Sequence, residues 1–287
     1  MKRALLTVCT SDYYQYYIPL FVWSALDTWN DIEVLIYVRG EICSDVKEAM
    51  ELIQSKNYRI YENYKTDYPY LSGTTNALRL TVIPDKEYEE LMITDIDFFF
   101  SSVPLDIFSW NKLQLELMHN DCYVAHHGAY ERPKRPQICT SWRGNFERIA
   151  CGFVLLFPNW FKRTKDQVIA YDSLLKAGKW GHFRESDEVM LFRIVRDVGL
   201  PIAPKVPFPR VLRYYHLGDL KDSMKHRYTD RNMMSRLLDQ KIAKNYLDII
   251  DQPCLNQIIE IVSRSLEMNK ILQRARECCN MIFGGRR

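Results

Sequence analysis

The chain has 287 residues, 47% of them hydrophobic and 26% charged, which suits one large domain or one domain with an appendage, since domains run to about 100–200 residues, and excludes a disordered or fibrous chain. A formal net charge of +3 is too small to argue for nucleic-acid binding, and no apolar run reaches the ~18 residues of a membrane helix. The eight cysteines contain no C-x-x-C pair to frame a zinc site, and several lie in apolar runs, as reduced thiols do.

In chain order, residues 4–9 are mostly apolar and predict a buried strand; the run is closed by Thr10-Ser11-Asp12, too soon for a signal peptide. The expected location is therefore cytoplasmic. Residues 16–28 carry apolar side chains at helical spacing. Residues 32–38 predict a second strand ending at Arg39-Gly40, and Ser44 is the expected cap of a helix running to about Lys56. A short strand is expected at 58–61, a helix at 74–82 stopped near Pro84, and a strand over 90–100. Further strands are expected at 122–126 and 151–157, with a mobile loop between them over the Pro-, Arg- and Lys-rich stretch 130–148. Helices follow at about 164–177 and 186–198. Strands alternating with helices predict an α/β sheet.

From about 228 the pattern becomes all helical, over roughly 230–250 and 252–283, with Asp251 as a cap and Pro253 in the first turn. The expected division is a domain over 1–227 and a C-terminal helical extension over 228–287. From Lys221 onward there are thirteen Lys and Arg against eight Asp and Glu. A solvated face on packed helices accounts for that balance; peripheral docking to a membrane surface or a partner is the other reading.

The chemistry centres on Asp95-Ile96-Asp97, preceded by Leu91-Met92-Ile93 and followed by Phe98-Phe99-Phe100. On a strand, residues two apart share a face, so both carboxylates are expected to project together. Two like charges in an apolar strand are costly unless a cation neutralises them. A hard divalent ion with oxygen ligands does so and can bridge to a diphosphate. The same triplet also ends strands whose carboxylates simply face water.

Asn76-Ala77-Leu78-Arg79-Leu80, Ile83-Pro84 and Leu91 to Phe100 together resemble glycosyltransferase family 8 and its GT-A relatives, where an Arg-bearing helix precedes a strand ending in Asp-x-Asp. The resemblance implies a GT-A fold: a Rossmann-like, nucleotide-sugar-binding mixed α/β sheet flanked by helices. It implies a nucleotide-sugar donor, a UDP-sugar, and a glycan, protein or lipid-linked acceptor. Thr10, Ser11, Asp12 and Tyr14 resemble the loop that holds the nucleotide, and Asp95, Ile96 and Asp97 the donor site. Cys151-Gly152-Phe153 resembles the glycine-bearing strand beside the acceptor, and Asp187-Glu188 the catalytic pair, with Glu188 where the family has Gln. His216, Gly218 and Lys221 resemble a His…Gly…Lys segment that supplies a third metal ligand beside Asp95 and Asp97 and a diphosphate contact. The cofactor so implied is Mn²⁺ or Mg²⁺, and an imidazole ligand favours Mn²⁺.

Residue chemistry is consistent with these roles. Arg79 and Lys221 can neutralise diphosphate oxygens as the leaving group gains charge. Glu188 or Asp187 can act as general base, as nucleophile or as ion-pair stabiliser; an acidic pair in a first helical turn also serves the helix dipole. Trp180 and His182 offer either a stacking surface for a sugar or core packing. Three rival readings are a sugar nucleotidyltransferase, a phosphatase with its nucleophile in the Asp-x-Asp, and a catalytically silent GT-A-like binding module. Thr10–Tyr14 lacks the Gly and basic residues that the first commonly uses, and Phe98-Phe99-Phe100 replaces the Thr or Gly usual in the second.

Overall fold

The computed structural model describes residues 3–71, 74–100, 124–127, 139–140, 147–148, 153–156, 159–180, 187–200, 214–216, 254–255, 257–262 and 264. Its centre is a six-stranded mixed sheet. Strands β1 (Arg3–Thr10), β2 (Ile32–Arg39), β3 (Tyr58–Tyr61) and β4 (Glu90–Thr94) run parallel. Apart from β5 (Phe98–Phe100), β7 (Cys139–Thr140), β8 (Glu147–Arg148) and β10 (Tyr214–His216), the sheet is completed by β6 (Val124–His127) and β9 (Phe153–Leu156), in the order β3-β2-β1-β4-β9-β6. Strand β9 is antiparallel to both of its neighbours.

The largely apolar sequence of β1 follows from burial on both faces, as in parallel sheets generally. Leu5 and Cys9 join Val34, Ile36, Val38 and Met92 on one face; Ala4, Leu6 and Val8 join Leu35, Tyr37, Leu91 and Ile93 on the other. The first face is covered by α1 (Ile18–Thr28) and α2 (Ser44–Glu51), through Ile18, Phe21, Val46 and Met50. The second is covered by α3 (Thr74–Leu78), α4 (Asn159–Lys176) and α5 (Asp187–Val198), through Leu78, Trp160, Leu175 and Met190. The expected mixed α/β sheet flanked by helices is the fold observed.

Several local expectations are corrected. Ser44 is the first residue of α2, and Cys43 holds the cap position with no side-chain hydrogen bond. Helix α2 stops at Glu51 because Leu52 and Ile53 turn toward the core. Within 130–148 only 139–140 and 147–148 are described, and there β7 and β8 pair antiparallel, Cys139 opposite Arg148; the rest of the expected mobile loop lies outside the described residues. The strand expected over 90–100 is two strands. Strand β4 belongs to the main sheet, while β5 pairs with β10 in a separate ladder. The apolar residues of β5 obscure that break in sequence: Phe100 packs on Phe21 and Trp29 of the α1 region, with ring centroids 5.3 and 5.1 Å away.

The expected domain boundary at 227 lies outside the described residues, as do residues 228–253 and 265–287. The described part of the C-terminal stretch is helical. Leu255, Ile258, Ile259 and Val262 recur at the spacing of one helix face and are buried in the same cluster as α1 and α2. The Cys254 thiol donates to the Leu52 carbonyl at 3.2 Å. This segment therefore covers part of the core. Ile258 is 0% exposed, so Ile258→Ala is expected to cost about 2–5 kcal/mol, read as a fall in the guanidinium midpoint at unchanged slope. An unshifted midpoint would contradict this packing. Among the described residues no helix is long and apolar enough to cross a membrane.

Candidate active site

Strand order locates the site. From β1 the chain moves to β2 and β3 on one side, then returns to β4 on the other. In open α/β sheets the crevice for ligands lies outside the carboxyl ends of the strands at such a reversal. Here those ends carry Thr10-Ser11-Asp12 after β1 and Asp95-Ile96-Asp97 after β4.

The first turn is held from several directions. Asp12 caps a 3-10 turn over Tyr13–Tyr17, accepting from the Tyr14 amide at 3.1 Å and from the Thr10 hydroxyl. Gln15 donates its amide to the Ser11 carbonyl and accepts from the Cys43 backbone at 2.7 Å. The Ser11 amide donates to the Arg39 carbonyl at 3.3 Å. Gly40 follows at φ +115°, where a Cβ would stand 2.9 Å from the Ser11 Cβ. Gly40→Ala is therefore expected to cost about 1–3 kcal/mol through backbone strain and to displace Ser11. A melting temperature equal to that of the parent protein would contradict this. Tyr14, expected to touch the nucleotide, is partly exposed, with its ring 6.0 Å from that of Tyr17. Beneath the turn, Cys9 is fully buried, and desolvation followed by the Asp12 charge pushes its thiol far above the ordinary range.

The second turn corrects the strand geometry expected from sequence. Asp95, Ile96 and Asp97 form the break between β4 and β5, and Ile96 and Asp97 are buried there. The alternation of a strand does not set the directions of the two carboxylates. Strand β10 lies antiparallel to β5 with His216 opposite Phe98. The backbone of His216 thus stands across the ladder, one residue in register from Asp97.

Arg79 joins this turn to the rest of the site. It sits in the 3-10 turn Arg79–Thr81 that continues α3. One terminal nitrogen pairs with Asp95 and the other with Asp187, the first residue of α5. Arg79 and Asp187 are both buried. From the sequence alone Arg79 is a diphosphate contact; in the structure one guanidinium joins the ends of α3, β4 and α5. Glu188 is the next residue of α5 and is half-buried. Trp180 is core: it meets Tyr171 edge-to-face at 5.1 Å, with Arg193 over its ring. Gly152, His182, Gly218 and Lys221 lie outside the described residues.

Residues the sequence reading passed over complete the β2 side. Arg39, the last residue of β2, is buried and donates to the Tyr68 carbonyl at 2.6 Å and to the Thr75 hydroxyl at 3.4 Å. Tyr70 lies over it, with the guanidinium carbon 5.1 Å from the ring centroid. Desolvation, then the Asp12 charge, raise the pKa of the Tyr70 phenol, while Thr10 and Arg39 oppose the rise. Arg39-Gly40 at a strand end was the one visible signal, and Tyr70 belongs to no motif.

No protein-family model and no curated protein matches the chain. Among solved structures it is similar to the galactosyltransferase LgtC in complex with donor and acceptor sugar analogs, at 16% identity over 66% of this chain and 69% of that one, TM-score 0.38. Core-mannan synthase A (CmsA/Ktr4) of Aspergillus fumigatus, in an Mn/GDP form, is 12% identical over 75% and 74% of the two chains, TM-score 0.48. Residues 1–349 of S. aureus TarS are 12% identical over 91% of this chain and 81% of that one, TM-score 0.45. Likenesses this remote say nothing of activity.

Proposed function

We propose that the chain is a GT-A-type glycosyltransferase that moves a sugar from a nucleoside diphosphate sugar, a UDP-sugar, to a hydroxyl of a glycan, protein or lipid-linked acceptor, with a divalent metal ion. One observation carries this reading. The acidic turn 95–97 and the capped turn 10–12 stand at the carboxyl ends of adjacent parallel strands where the strand order reverses. That arrangement provides carboxylates for a cation–diphosphate group beside a turn for the nucleoside.

The residue types at this turn suit a metal ion. Two carboxylates and a histidine on the neighbouring strand match the oxygen-and-imidazole preference of Mn²⁺, with Mg²⁺ the oxygen-preferring alternative. Asp95, Asp97 and His216 would hold it. When bound it supplies Lewis-acid stabilisation of the charge that develops on a leaving diphosphate.

The protein's own groups do the rest. Arg79 fixes Asp95 and Asp187 relative to each other and is a positioning residue. Asp187 is engaged by the Arg79 guanidinium. Chemistry on the acceptor side then falls to Glu188. It takes the acceptor proton in an inverting reaction, or faces the anomeric carbon as nucleophile or charge stabiliser in a retaining one. The anomer of the product distinguishes these routes.

A thermal-shift panel of UDP-, GDP-, ADP- and CMP-sugars, each with and without Mn²⁺, tests the proposal, since a ligand that binds the native state raises its apparent stability. The expected result is a shift with a UDP-sugar only when Mn²⁺ is present. No shift with any nucleotide sugar would overturn it.

A further inference from the structure

We infer that Tyr70 is the platform on which the donor's nucleobase stacks, an inference that rests on the reading of the crevice as a nucleotide-sugar site. Tyr70 is 68% exposed and adds little to the core, yet the chain around it is tied down on every side. Tyr68, two residues earlier, is buried; its carbonyl accepts from Arg39 at 2.6 Å and its hydroxyl donates to Asp172 of α4 at 2.8 Å. Lys65 pairs with the same Asp172 at 2.5 Å. Pro69 abuts Gly178, at φ +66°, where a Cβ would stand 3.2 Å from the proline ring. The Leu71 amide donates to the Thr74 hydroxyl at 3.3 Å, and the Thr74 amide donates back to the Leu71 carbonyl at 3.0 Å. An exposed ring on so fixed a support loses little freedom when a flat partner settles on it.

The ring has one face toward the Arg39 guanidinium, in cation–π geometry. That contact engages one face of the ring, and the ring's exposure among the described residues offers the other to a ligand. Position identifies the partner. Tyr70 stands over Arg39 at the end of β2, and Arg39 pairs in register with Thr10 at the end of β1. The acidic turn lies on the other flank of β1, after β4. A nucleotide with its diphosphate at Asp95–Asp97 therefore directs its base toward Tyr70. Aromatic stacking tolerates any base, because every base has a π-face.

The test uses the full chain and its Tyr70→Ala, Tyr70→Leu and Tyr70→Phe variants, titrated with UDP, GDP and inorganic pyrophosphate in the presence of Mn²⁺. Affinity for the nucleotide that the parent protein binds is expected to fall about tenfold in the Ala and Leu variants. It should stay within about twofold in the Phe variant, which keeps the ring. Pyrophosphate affinity should be the same in all four proteins. Nucleotide affinity unchanged in both the Ala and Leu variants would overturn the role of Tyr70 and leave the nucleotide-site reading standing. Equal losses for nucleotide and pyrophosphate would also overturn it, by showing that Tyr70 supports the crevice rather than the base. A parent protein that binds none of the three ligands would remove the reading and this inference together. Leucine preserves bulk at the position, so folding of the alanine variant does not limit the test.

Discussion

Replacing Arg79 with methionine is expected to cost the fold about 3–5 kcal/mol. The guanidinium is buried and satisfies two carboxylates, Asp95 and Asp187. Methionine fills similar volume but leaves two acidic groups facing each other without the cation. The Asp187 side chain is 9% exposed and that of Asp95 is 30% exposed, so most of the penalty falls on Asp187, and water reaching Asp95 keeps the total toward the lower end. A double-variant comparison separates this from lost packing. Adding Asp187→Asn to Arg79→Met should restore more than about 1 kcal/mol, because residues sharing one ion-pair network are not additive. Arg79→Lys should fall between, since an ammonium cannot present two terminal nitrogens in a fixed fork. Chemical denaturation of the four proteins checks this; a loss below about 1 kcal/mol for Arg79→Met would show that the triad is not the joint described here.

The second large effect is on turnover. Asp97→Asn is nearly isosteric and removes one charge from the acidic turn, so the protein should remain folded. Losing one group that stabilises developing charge typically lowers turnover by about 10²–10³-fold, and a loss of that size is expected for sugar transfer or donor hydrolysis at saturating nucleotide sugar. Raising Mn²⁺ should recover part of it, because a weakened ligand set is filled at higher metal concentration. Turnover within about threefold of the parent, with matched circular dichroism, would mean that Asp97 is a buried structural carboxylate.

The sheet was legible where both faces of a strand are covered. In β1 and β2 burial makes the runs Ala4–Leu6 and Val34–Val38 apolar, and the sequence shows it directly. The Asp95-Ile96-Asp97 triplet was equally visible, but its local geometry was not. Phe98 and Phe100 are as apolar as Leu91 and Ile93, yet they serve a different ladder, and periodicity cannot tell which sheet an apolar residue joins. The C-terminal helix showed its apolar face at Leu255, Ile258, Ile259 and Val262, while the surface that receives it is a tertiary fact. Arg79 stood out by resemblance. Its engagement of Asp187, 108 residues later, depends on α3 and α5 covering the same face of the sheet. Tyr70 left no local trace, because its surroundings come from the end of β2, the turn after β1 and the body of α4.

The account depends most on a divalent cation and a nucleoside diphosphate binding together at the acidic turn. Isothermal titration of UDP into the parent protein and into Asp95→Asn/Asp97→Asn, each with and without Mn²⁺, measures this directly. The predicted result is saturable binding in the parent protein with Mn²⁺ and its loss when either the ion or the two carboxylates are removed. UDP bound with equal affinity in the double variant, or in the parent protein without metal, would contradict it.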